Sequence, residues 1–180
     1  RYKINRVLVT TFDEKGTDKI NKLIKSVEKK TGCTYMSDRN ISPHLTLAVS
    51  AGEGVKAGES DIVRLIGLRV NEFSKFKLRI CSIGCFKPHV LYLQPVLSAE
   101  LEELVKFANG IFDRVYGTGE KNAYMQYSRI EHISIAKRLG EPQMQAAFGA
   151  LYANFEPFET EAAGIKLENT NPRAVIKKWE

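Results

Sequence analysis

The chain has 180 residues, 43% of them hydrophobic and 27% charged, with 27 Lys plus Arg against 21 Asp plus Glu for a net charge of +6. That length supports one substantial core, and the absence of any apolar run near the ~20 residues of a membrane span excludes a helical membrane protein. The pI near 9.2 favours a polyanionic partner without naming one.

Alternation over residues 2–12 predicts a first strand, whose Val7-Leu8-Val9 run is too short for the core of a secretion signal. Thr17 then stands where a cap is expected for a helix carrying Ile20, Leu23, Ile24 and Val27 at helical spacing, and Gly32 ends it. Lys19, Lys22, Lys25, Lys29 and Lys30 give this helix a basic face, expected to be solvated. An irregular stretch, 33–43, leads into a strand headed by His44. The glycine-rich 51–58 that follows lacks the Gly-Lys-Ser/Thr ending of a phosphate-cradling loop. Ile62, Leu65, Ile66, Val70 and Phe73 mark a second helix, and 76–86 a strand with Gly84 as the candidate bulge.

Pro88 opens the next strand, 90–93, where His89 reads as an ordinary strand-start histidine. Ser98 caps the longest helix, which turns Leu101, Leu104, Val105, Ala108, Ile111, Phe112 and Val115 inward and closes at Gly117. A second irregular stretch, 118–129, leads into a strand headed by His132. A helix follows with Met144, Ala147, Phe148, Leu151 and Tyr152 inward, and strands over 158–167 and 174–179 finish the chain. Cys33, Cys81 and Cys85 are odd in number and form no Cys-x-x-Cys pair. Neither a disulfide framework nor a zinc knuckle is expected, and the cytoplasm is the expected compartment.

Two of the three histidines head the same phrase, His44-Leu45-Thr46-Leu47 and His132-Ile133-Ser134-Ile135. In a strand, each phrase puts an imidazole and a hydroxyl on one face and two apolar side chains on the other. The surroundings repeat as well. Tyr35-Met36 precedes the first histidine as Tyr124-Met125 precedes the second, Arg39 and Arg129 lie shortly before each, and Pro88 and Pro172 each open a strand. An internal duplication of a strand, helix, histidine-strand, helix, strand unit accounts for the correspondence. The expectation is a single bilobal domain over 1–180, with halves of roughly 1–87 and 88–180. The fold is α+β, its two pseudo-twofold-related lobes each an antiparallel sheet with flanking helices, facing one another across a central cleft.

These motifs, their spacing and the duplicated α/β units resemble the two-histidine phosphoesterase superfamily, which includes 2′-5′ RNA ligase-like proteins and cyclic phosphodiesterases. The resemblance implies that His44 and His132 are the catalytic pair and that Thr46 and Ser134 bind the phosphate. The second motif has Ser where many relatives have Thr, which keeps the hydroxyl. The implied activity is hydrolysis of 2′,3′-cyclic phosphates or 2′-5′ phosphodiester linkages of RNA or nucleotides.

Such chemistry needs one group to take a proton from the attacking oxygen and another to give one to the leaving oxygen. Histidine, with an ordinary pKa of ~6.5, suits both tasks. Hydroxyls supply hydrogen bonds to the non-bridging oxygens, and neither metal nor cofactor is required. Arg39, Arg129, Lys137 and Arg138 are candidates for charge stabilisation, and Tyr35, Tyr124 and Tyr127 for stacking on a base. The expected partner is an RNA or nucleotide substrate, with no membrane, bound by a monomer. The alternatives are a non-catalytic nucleotide or RNA binder of the same fold and a histidine metal site. The latter falls short of the three to four ligands zinc takes.

Overall fold

A computed structural model describes residues 5–51, 53–117 and 130–180. The elements are β1 (Asn5–Phe12), α1 (Glu14–Thr31), the single turn α2 (Tyr35–Asp38), β2 (Leu45–Ala51), α3 (Glu59–Arg69), β3 (Phe76–Phe86), β4 (Val90–Pro95), α4 (Ala99–Tyr116), β5 (Ile133–Ala136), α5 (Glu141–Asn154), β6 (Phe158–Thr170) and β7 (Arg173–Trp179). Short 3-10 turns cover Glu53–Lys56 and Val70–Glu72.

Helix α1 starts one turn earlier than Thr17 suggests. Asp13 is the cap, its carboxylate accepting the Gly16 N–H at 2.8 Å and the Thr160 hydroxyl at 2.9 Å. A carboxylate satisfies an orphan N–H and also meets the positive end of the helix dipole, so it takes precedence over the later hydroxyl. Thr17 bonds back to the Phe12 carbonyl instead. Gly32 ends the helix in the left-handed region at φ 72°, its N–H on the Glu28 carbonyl at 2.8 Å. Ser98 caps α4 by accepting the Leu101 N–H at 3.2 Å.

Among the described residues all strand pairs are antiparallel, and they form one open seven-stranded sheet in the order β2-β1-β6-β3-β4-β5, with β7 beside β6. The order reads the same from either end when β1, β2 and β3 are exchanged for β4, β5 and β6. Each half lends its third strand to the other: β6 lies beside β1, and β3 beside β4. The helices cross over too, α4 packing on β2 and α1 on β5. The two halves of the chain therefore share one sheet, and the histidine strands are its two ends.

Leu8, Leu45, Leu47, Leu91, Leu93 and Ile133 are fully buried between the sheet and the helices. In α5 only Met144, Ala147 and Leu151 face inward. Phe148 and Tyr152, expected inside, are 36% and 74% exposed, because the stripe meeting α1 is narrower than the apolar content suggests. The bulge in β3 falls at Cys81, where the register with β4 skips a residue, and not at Gly84. Gly84 stands opposite Tyr92, and a Cβ there would lie 2.6 Å from the tyrosine ring. Its role is close approach. Among the described residues no helix is long and apolar enough to cross a membrane.

Candidate functional site

The two histidine strands are built alike. In β2 the register with β1 passes from Leu8–Ala48 to Val9–Thr46, leaving Leu47 as a bulge. In β5 the register with β4 passes from Leu91–Ala136 to Tyr92–Ser134, leaving Ile135 as a bulge. Bulges of this kind bend a strand and redirect its side chains, and here one follows each hydroxyl residue directly. Just ahead of each strand the imidazole folds back on its own chain. His44 Nδ1 is 2.7 Å from the Ser42 carbonyl, and His132 Nδ1 is 2.8 Å from the Ile130 carbonyl. A carbonyl only accepts, so Nδ1 carries the hydrogen and the Nε2 of each neutral ring carries the lone pair.

The sheet is curved enough that residues of β2 and β5 come within 8 Å, Cα to Cα, although they end opposite edges. At the β2 end lies a cavity of about 570 Å³, walled in part by His44, Thr46, Tyr35, Arg39, Lys137 and Arg173. Its size is within the ~300–1,000 Å³ of small-molecule sites. Burial, chiefly, pushes the His44 imidazole down to about 3. The Ser42 carbonyl opposes this, while the charges of Lys137, Arg173 and His132 reinforce it. Lys137 is held below the ordinary lysine value by burial and then by Arg173. His44 is thus neutral at neutral pH.

The lysine comes from the end of β5 and the arginine from the β6–β7 turn, so the cavity at the first motif is finished by residues far along the chain. Arg173 lies 2.8 Å from the carboxylate of Glu168, which is buried. At the cavity's edge Tyr35 carries two guanidinium groups, Arg39 at 4.7 Å and Arg138 at 5.0 Å from its ring centre.

The second motif has a different setting. His132 meets Phe86 edge-on at 4.9 Å and Tyr92 at 5.5 Å, and those two rings stack at 4.3 Å. Ser134 is buried opposite Tyr92. Neither His132 nor Ser134 belongs to the cavity wall itself, and the link to it is the charge of His132 acting on His44. Among the sequence candidates, His44, Thr46, Tyr35, Arg39 and Lys137 share the cavity. Arg129, Tyr124 and Tyr127 lie outside the described residues. His89 stays apart, its Nδ1 on the Leu139 carbonyl at 2.8 Å.

Arg173, Phe86 and Tyr92 were not singled out by sequence. The one available signal for Arg173 was its place after Pro172, in the turn that corresponds to Pro88-His89. Among the described residues no three His, Cys, Asp or Glu side chains are grouped to hold a metal ion.

Comparison with known proteins finds that the family model described as the 2′-5′ RNA ligase superfamily matches residues 17–172. No curated protein matches by sequence. Among solved structures, Escherichia coli LigT complexed with 3′-AMP is similar with a TM-score of 0.66 at 13% identity, over 99% of this chain and 98% of that one. TT0787 of Thermus thermophilus gives a TM-score of 0.67 at 15% identity, over 97% and 96%. At such identities the likeness is one of fold.

Proposed function

The chain belongs to the 2′-5′ RNA ligase superfamily, and from that premise we propose that it is a phosphodiesterase opening 2′,3′-cyclic phosphates or cleaving 2′-5′ linkages of RNA or nucleotides, with His44 and His132 as its base and acid. The observation that carries this reading is the pair of Nδ1–carbonyl hydrogen bonds, 2.7 and 2.8 Å, on two strands with matching bulges. Each bond fixes the ring and the tautomer, so that Nε2 is the atom left for proton transfer.

The low pKa of His44 favours it as the group that begins neutral. For a cyclic phosphate, water attacks phosphorus and His44 takes a proton from it. The P–O bond to one ribose oxygen breaks, and His132 protonates that oxygen, leaving a phosphate monoester. In the reverse direction the roles exchange. Thr46 and Ser134 would donate to the non-bridging oxygens, and Lys137 and Arg173 would stabilise the charge that grows on them. Both histidine strands belong to one chain, which supports a monomeric enzyme, and free thiols at Cys33, Cys81 and Cys85 favour a cytoplasmic setting.

The test is incubation with nucleoside 2′,3′-cyclic phosphates in excess EDTA, alongside His44→Ala and His132→Ala. Turnover that survives the chelator and falls by about 10²-fold or more in each variant is the expected result. Binding without turnover would instead favour a non-catalytic nucleotide binder of the same fold.

A further inference from the structure

Tyr35 gathers two arginines that are 99 positions apart in the chain, Arg39 from the turn after α2 and Arg138 from the segment after β5. Both are exposed, and among the described residues neither has a carboxylate partner. The acid in the cavity wall, Asp38, already accepts the Thr34 hydroxyl at 2.7 Å. A lone surface arginine needs no explanation. Two guanidiniums on one ring repel each other and require an arrangement that keeps them there.

The backbone supplies it. Arg138 sits in the left-handed region at φ 57°, and Asn40, which follows Arg39, at φ 52°. Asparagine takes that conformation readily, arginine does not, and such outliers persist only where the surroundings hold them. A guanidinium held over an aromatic ring still has N–H groups to offer, and these can grip two oxygens of a phosphate at once.

Charge matching points the same way. A phosphodiester carries one negative charge, and Lys137 shares the cavity wall with His44, beside an Arg173 that is paired with Glu168. Arg39 and Arg138 are surplus to that need. We propose that the Arg39–Tyr35–Arg138 cluster is a subsite for a second phosphate group of the substrate. The preferred substrate is then a nucleotide carrying another phosphate, or an oligonucleotide end, in preference to a nucleoside cyclic phosphate alone. This rests on the function proposed above for the neighbouring histidines.

Binding tests it independently of turnover. Titration calorimetry at fixed ionic strength would compare adenosine 3′-monophosphate, adenosine 3′,5′-bisphosphate and a 3′-phosphorylated adenylyl dinucleotide, in the native chain and in the double variant Arg39→Gln, Arg138→Gln. The second charge-assisted contact predicts about 10-fold or tighter binding of a two-phosphate ligand over the monophosphate. The bisphosphate and the dinucleotide distinguish a 5′-phosphate from the next phosphate of a chain. In the double variant the ratio should shrink to about twofold or less. Equal affinities in the native chain, a ratio unchanged in the variant, or no measurable binding of any of the three would overturn the proposal. A clear preference without turnover of any cyclic phosphate would leave the subsite standing and remove the catalytic reading.

Discussion

Leu47 and Ile135 are the bulged residues of the two histidine strands, and each lies three positions past its histidine. The flanking pairs correspond as well, with Val9 opposite Thr46 and Tyr92 opposite Ser134. The same local irregularity thus recurs, in register, at both ends of one sheet. It explains how a short motif acts as a unit, since the same kink sets both hydroxyls relative to their imidazoles.

The first bulge depends on Asn109. Its side-chain amide, buried in α4, donates to the Leu47 carbonyl at 3.1 Å and to the Val105 carbonyl at 2.9 Å. Asn109→Leu would leave the bulged carbonyl without this partner, which should destabilise the fold by about 1–3 kcal/mol. It should also lower kcat more than it raises KM, because Thr46 and His44 lose their bearing. The midpoint of urea unfolding and steady-state kinetics check the two parts. An Asn109→Leu protein as stable and active as the native chain would show that the bulge holds without the amide.

His44 makes stability depend on pH. Its folded value, about 3, is below the unfolded one, about 6.5. Below pH 6.5 the unfolded chain takes up a proton that the folded chain refuses. The contribution of His44 is therefore fully present above that pH and is lost as pH falls toward 3, at no more than about 1.4 kcal/mol per pH unit. Unfolding curves between pH 7 and 4 should be less pH-dependent for His44→Gln than for the native chain. Identical slopes would mean that His44 is solvated.

Anion binding should reverse the same effect. An anion among His44, Lys137 and Arg173 favours the charged forms of the first two, so binding draws in protons. Sulfate keeps a constant charge over this range, and its affinity should rise as pH falls from 7 to 5. Calorimetry in two buffers of different ionisation heat would read net proton uptake, reduced in His44→Gln. Proton release, or an affinity that falls with pH, contradicts the arrangement.

What sequence could and could not show follows the range of the interactions. The motifs His44-Leu45-Thr46 and His132-Ile133-Ser134, the caps at Gly32 and Ser98 and the strand–helix order are local patterns, and they were legible. Asp13 displaced Thr17 as a cap because Thr160, from the far end of the chain, helps fix its carboxylate. Arg173 reaches His44 only because β6 crosses into the first half's side of the sheet. Strand exchange of that kind leaves no periodic trace.

Gly84 is a case where the missing side chain matters. Its place is filled by the Tyr92 ring, which is 6% exposed, stacks on Phe86 and touches His132. Gly84→Ala forces that ring aside, and overpacking of this sort typically costs about 1–3 kcal/mol. Because Tyr92 and Phe86 are the neighbours of His132, the His132 ring proton resonances should move as well. Unchanged resonances together with unchanged stability would mean that the ring has room to yield.

Lys137 separates stability from activity. It is half-buried in the cavity wall, and the loss of water there, with the charge of Arg173, holds its pKa below the ordinary lysine value. The unfolded chain keeps the proton to higher pH than the folded one, and stability on this account rises as pH climbs toward the ordinary value of about 10.4. Lys137→Met keeps the apolar stem and removes the charge. The variant should be at least as stable as the native chain at pH 7 and flatter in its alkaline stability profile. The proposed turnover of cyclic phosphates should nonetheless drop by about 10²- to 10³-fold, as for the loss of one preorganised charge on a developing oxyanion. Thermal unfolding from pH 7 to 10.5 and single-turnover rates would test both halves. A Lys137→Met protein that is less stable and fully active would place the lysine in the packing of the cavity and out of its chemistry.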